Sequence, residues 1–158
     1  MPAGSVVVSG VPAYNTSRYA QPTVASATPT AWTTANSPVT LWTVTGSIVA
    51  RVYGVVGATP FASTSSTGTL AIGVASATGA FIAATTANGT NLIASTAWMD
   101  NAPTVTAKVL AAIPAAWVLV TGNIILTIAT NSMTAGAINL FCDWMPVTAG
   151  ATVVSGSP

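Results

Sequence analysis

The stretch Ala137-Ile138-Asn139-Leu140-Phe141-Cys142-Asp143-Trp144 carries an apolar series, Ile138, Leu140, Cys142 and Trp144, at every second position. A period of two places these side chains on one face of a β-strand and Asn139, Phe141 and Asp143 on the other. Upstream, Asn123-Ile124-Ile125-Leu126-Thr127-Ile128 repeats the period. In Thr69-Leu70-Ala71-Ile72-Gly73-Val74 the larger side chains Leu70, Ile72 and Val74 again share a face. In Ser47-Ile48-Val49-Ala50-Arg51-Val52-Tyr53, the set Ile48, Ala50 and Val52 alternates against Val49, Arg51 and Tyr53. Residues 39–45, 80–85, 104–110, 116–121 and 151–154 are further strand candidates. Gly46, Gly57, Gly68, Gly79, Asn88-Gly89, Gly122, Gly136 and Gly150 fall between them as turn signals. Short strands punctuated in this way predict an all-β fold, an antiparallel β-sandwich or jelly-roll-like domain. Helix competes poorly, because Thr and Val are weak helix formers. The Ala-rich 107–116 has room for one short helix, which Pro114 limits.

The first 38 residues read differently. Pro2, Pro12, Pro22, Pro29 and Pro38 recur through Ser, Thr and Ala. Each removes a backbone donor and restricts the residue before it. This predicts an extended N-terminal arm over 1–38 and a β-sandwich domain over 39–158. Within the arm, Val6, Val7 and Val8 form a possible short edge strand, and Trp32 is its one tryptophan. These four residues are the candidates for anchoring the arm in a neighbouring subunit.

Composition excludes several classes of function. Five side chains in 158 residues carry a fixed charge: Arg18, Arg51, Lys108, Asp100 and Asp143. There is no His and no Glu, while 30 Ala, 26 Thr, 19 Val and 14 Ser make up more than half of the chain. Three scattered cations do not make the basic patch that phosphate binding requires, so no nucleic-acid partner is expected. A hydrophobic content of 51% argues against a disordered chain. Residues 110–128 are uncharged and long enough to span a bilayer. Pro114 and the turn-like Thr121-Gly122-Asn123 interrupt them, however, and buried strands are the expectation, with no membrane partner. The opening Met1-Pro2-Ala3-Gly4 lacks the basic and apolar regions of a secretion signal, and a lone Cys142 suits a reducing cytoplasm.

Few residue types suited to catalysis or metal binding are present. Without His the common general base and metal ligand are missing, and one Cys builds no cysteine-rich metal site. Asp100 and Asp143 are expected to accept hydrogen bonds at turns or to pair with Arg51 or Lys108. Cys142 falls on the apolar face and is expected to be a buried, inert thiol. No catalytic, cofactor-binding or metal-binding residue is predicted. Among the five tryptophans, Trp117 and Trp144 are expected in the core. Trp98 and Tyr53 are the candidate exposed aromatics that could stack on sugars.

A neutral, Thr-rich, β-rich surface favours association, and symmetric oligomers manage it by covering edges and apolar patches. The chain therefore reads as a repeated building block. Gly68-Thr69-Leu70-Ala71-Ile72-Gly73-Val74 running into Ala80-Phe81-Ile82-Ala83-Ala84-Thr85-Thr86 resembles small virion proteins of tailed bacteriophages. So do Trp98-Met99-Asp100-Asn101-Ala102-Pro103 and the closing stretch from Gly136 through Asp143-Trp144-Met145-Pro146 to Val154. The resemblance implies a non-enzymatic virion protein, foremost a capsid decoration (cement) protein assembled in the host cytoplasm. Its expected partners are itself, as a homo-oligomer and foremost a trimer, and the major capsid protein or other virion proteins. The alternatives are a tail or fibre receptor-binding module and a self-assembling extracellular filament subunit.

Overall fold

A computed structural model describes residues 23–27, 32–100 and 117–156, with only the backbone described for 23–27. Its strands are β1 (Thr23–Ala27), β2 (Val39–Thr45), β3 (Ile48–Val56), β4 (Ala62–Ser63), β5 (Thr69–Val74) and β6 (Ala77–Thr86). They continue as β7 (Ala97–Trp98), β8 (Val118–Val120), β9 (Ile124–Ala129), β10 (Met133–Ala135), β11 (Ile138–Pro146) and β12 (Thr152–Ser155). One sheet runs β1-β11-β3, with both β7 and β8 pairing with β3 on its far side; the other runs β12-β2-β9-β5-β6. The small pair β4·β10 stands apart.

The antiparallel pairs nest along the chain. Innermost is β5·β6, then β3 with β7 and β8, then β2·β9, and outermost β1·β11. Successive pairs fall alternately in the two sheets. A long hairpin wrapped in this manner is a jelly roll, so the predicted all-β sandwich is the architecture observed. The strand β12 is added beside β2.

Alternation explains which faces meet. Along β3 the even positions, from Ile48 to Val56, are buried and the odd ones are half-buried or exposed. On β11, Ile138, Leu140, Cys142 and Trp144 point inward, as their spacing predicts. They meet Trp42, Val44, Ile124, Leu126, Ile128, Leu70, Ile72 and Ile82 from the opposite sheet. Packing aliphatic and aromatic side chains between two sheets stabilises by roughly 25 cal/mol per Å² removed from water. Polar side chains then fasten the ends: Ser37 Oγ accepts from Ile128 N at 2.9 Å, and Thr148 Oγ1 accepts from Ser47 N at 2.8 Å.

The boundary between arm and domain moves toward the N-terminus. Residues 23–27 supply a strand of the roll, paired in unbroken register from Thr23↔Cys142 to Ala27↔Ile138. Trp32 is 1% exposed in the main core, stacked on Phe61 at 5.8 Å between ring centroids. The stretch from Trp32 to Pro38 therefore belongs to the domain. Small residues between Pro22 and Pro29 hid β1 from a search for alternating large side chains. The predicted strand at 104–110 and the short helix at 107–116 lie outside the described residues. Within 110–128, β8 and β9 belong to different sheets, so that stretch is not one helix. No helix among the described residues is long and apolar enough to cross a membrane.

Candidate functional site

Two outer faces remain once the core is closed, and they differ in chemistry. The outer face of the β2-β9-β5-β6 side carries Thr40, Thr43, Thr45, Thr127, Thr69 and Thr86, with Ala71, Gly73 and Ala129 between them. Thr43, Thr45 and Ala129 are exposed. This face is mostly hydroxyl and methyl and carries no charged residue; Ile125 lies between Thr40 and Gly73, 7% exposed, and Val154 of β12, opposite Thr43, is 59% exposed.

The outer face of the β1-β11-β3-β8 side is built from cross-strand pairs in which β3 and β11 face each other residue by residue. In order these are Val49↔Met145, Arg51↔Asp143, Tyr53↔Phe141 and Val55↔Asn139. Leu119 of β8 lies opposite Val49 and extends the first row. Directly opposite side chains on one face are close enough to interact. Arg51 Nε donates to Asp143 Oδ2 at 2.8 Å, with the Arg51 side chain 25% exposed and that of Asp143 6%. The Trp117 ring lies 5.2 Å from the Arg51 guanidinium carbon, a cation–π contact. Tyr53 and Phe141 stack at 5.2 Å and 14° between their planes. Burial, then the nearby Asp143 carboxylate, push the Tyr53 phenol above its ordinary 10.0, with Arg51 acting in the opposite direction. Leu119 is 62% exposed and Val55 39%.

The residues singled out from the sequence fall in different places. Tyr53 lies on this outer face, half-buried because one side of its ring is covered by Phe141. Trp98 is a correction: it is 0% exposed, points into the core opposite Gly54, and donates from Nε1 to Thr85 Oγ1 at 3.0 Å. An indole whose N–H finds a buried hydroxyl has no reason to stay in water. Trp32 is likewise held in its own chain's core and not offered to a neighbour. Val6, Val7 and Val8 lie outside the described residues. Trp144 is buried as expected, whereas Trp117 is only half-buried, over Arg51. Asp143 does pair with Arg51, one of the two partners anticipated for it. Cys142 is 0% exposed, and burial, followed by the Asp143 charge, pushes its thiol up to about 12, so it is no nucleophile at neutral pH.

A groove of about 460 Å³ opens where the β5–β6 turn meets the β8–β9 turn. Pro38, Val74, Ser76, Leu119, Asn123 and Ile125 are among its lining residues, and none of the lining residues is charged or aromatic. The Asn123 carboxamide oxygen already accepts from Val44 N at 3.2 Å. No group of three His, Cys, Asp or Glu able to hold a metal ion occurs among the described residues. No protein-family model, no curated protein and no solved structure matches this chain.

Proposed function

We propose that this chain is a non-enzymatic structural protein of a virus particle, a decoration protein that reinforces the head of a tailed phage. The observation that carries this reading is a jelly roll whose outer faces hold almost no charge among the described residues: one is rich in threonine and alanine, the other apolar and aromatic around a neutralised pair. A monomer free in solution ordinarily relies on many more surface charges to stay apart from its neighbours. Jelly rolls serve as packing units in viral capsids and also as sugar-binding domains, so the surface chemistry has to choose between these roles. The stretches around Gly68, Trp98 and Gly136 that resemble phage virion proteins support the same choice.

In this reading the sandwich forms a small closed oligomer on the capsid, and the Pro-spaced residues 1–22 run over capsid protein or a neighbouring copy. The receptor-binding alternative loses one of its two aromatics, because Trp98 is buried. The test is reconstitution. Full-length protein added to heads that lack it should bind and raise the temperature at which they rupture. Protein lacking residues 1–22 should bind more weakly and restore less of that stability. Heads that neither bind the full-length chain nor gain heat resistance contradict the proposal.

A further inference from the structure

We infer that the outer face of the β1-β11-β3-β8 sheet is the surface through which copies of this chain associate with one another. This deepens the reading of the chain as a repeated building block and rests on it.

Three observations support the assignment. The first is the contrast between the two outer faces. Solvated hydroxyls suit the threonine face to water, whereas Val49, Leu119, Tyr53, Val55, Phe141 and Met145 gather on the other. Of the exposed large apolar side chains, Leu119 at 62% and Val55 at 39% stand on this face and Val147 at 55% follows directly after β11, while Val154 at 59% stands at the β12 edge of the other face. Apolar side chains collected on one face mark an interaction site, whereas scattered ones do not.

The second is size. The nine residues each of β3 and β11, five of β1 and three of β8, at ~3.3 Å per residue and ~4.8 Å per strand width, give a face of roughly 410 Å². Specific interfaces begin at roughly 600 Å² per partner, so association must engage the whole face together with what borders it. At the Leu119 end the face continues into the apolar groove between the β5–β6 and β8–β9 turns, which offers a seat for a partner's side chain.

The third is charge. The ionic groups on this face, Arg51 and Asp143, neutralise each other at 2.8 Å. A second copy carrying the same face therefore approaches without like-charge repulsion, whereas a strongly charged partner finds no complementary field. The stacked Tyr53–Phe141 pair beside them is pre-ordered, so little side-chain freedom is lost on docking.

The test uses the full chain and measures mass in solution by sedimentation and light scattering. Wild-type protein is expected to form an oligomer of defined mass. The Leu119→Arg/Val55→Lys double variant should weaken association by roughly a hundredfold or more and shift it to monomer. Both side chains are exposed, so the fold should survive, as checked by an unchanged unfolding midpoint of the monomer. Val154→Lys, at a position equally open at 59% but on β12 of the other sheet, should associate like wild type. A double variant that assembles as wild type does would overturn this interface while leaving the building-block reading intact. A wild-type chain that stays monomeric at about 100 µM, far above the micromolar constants of modest interfaces, would overturn both.

Discussion

Arg51 and Asp143 stand directly opposite each other on β3 and β11, 92 residues apart in the chain, and their side chains meet at 2.8 Å. The pair sits between a stacked aromatic row and an aliphatic row, so each partner's charge depends on the other for solvation. Arg51→Met should therefore cost about 2 kcal/mol or more, because it leaves a largely buried carboxylate alone. The Arg51→Met/Asp143→Leu double variant should recover most of that loss. Urea unfolding of the single and double variants checks it, and equal costs for both would show that the carboxylate needs no partner.

The two buried indoles allow a matched comparison. Trp98 Nε1 donates to Thr85 Oγ1 at 3.0 Å, and Thr85 is 1% exposed. Trp32 Nε1 is buried and has no partner among the described residues. Trp98→Phe removes the bond that Thr85 Oγ1 accepts, leaving that hydroxyl only its donation to Ala83 O at 3.1 Å, whereas Trp32→Phe removes an N–H without a partner, so the first should cost about 1 kcal/mol more than the second. Chemical denaturation of the two variants gives the difference directly.

These residues also mark where sequence reasoning stops. The faces of β3, β5, β9 and β11 were legible, because a strand buried on one side carries large apolar residues at every second position. The strands β7, β4 and β10, of two or three residues, have no room to show a period. Trp98 was a candidate exposed aromatic, and no local pattern announces that Thr85 lies across the core. The ion pair depends on the register of β3 against β11, a long-range choice. Both residues were visible as rare charges, and Arg51 was among the anticipated partners of an aspartate, but the particular pairing was not.

Glycine positions give a third prediction. A Cβ on Gly73 would collide with the backbone of Ala77 and Thr78 in the facing strand, while one on Gly122 would meet nothing within 4 Å. Gly73→Ala should destabilise by about 1–3 kcal/mol as the β5–β6 hairpin shifts. Gly122→Ala should change stability by less than about 0.5 kcal/mol. Thermal melts of the two variants, identical in chemistry, isolate the effect of backbone approach.

The response to pH follows from the composition and from two raised groups. With two Asp and no His or Glu, few protons distinguish folded from unfolded chain between about pH 5 and 8, so stability should be flat there. Above that, the signs agree: the Cys142 thiol rises from 9.0 to about 12 on folding, and the Tyr53 phenol also rises above its ordinary value. The folded state then keeps protons that the unfolded state releases. The stability from the thiol is complete below about pH 9 and is lost toward pH 12, at about 1.4 kcal/mol per pH unit. Cys142→Val should flatten most of that alkaline fall. Melting curves across pH 5 to 11 check both parts, and a large shift between pH 5 and 8 would contradict the first.

The central claim is that this chain is a multi-copy structural element of a virus particle, and its stoichiometry tests that most directly. Quantitative mass spectrometry of purified particles, with the major capsid protein as internal standard, should find it present in many copies at a fixed ratio to the capsomers. A handful of copies per particle would place it in a tail or fibre. Its absence from the particle would contradict the account.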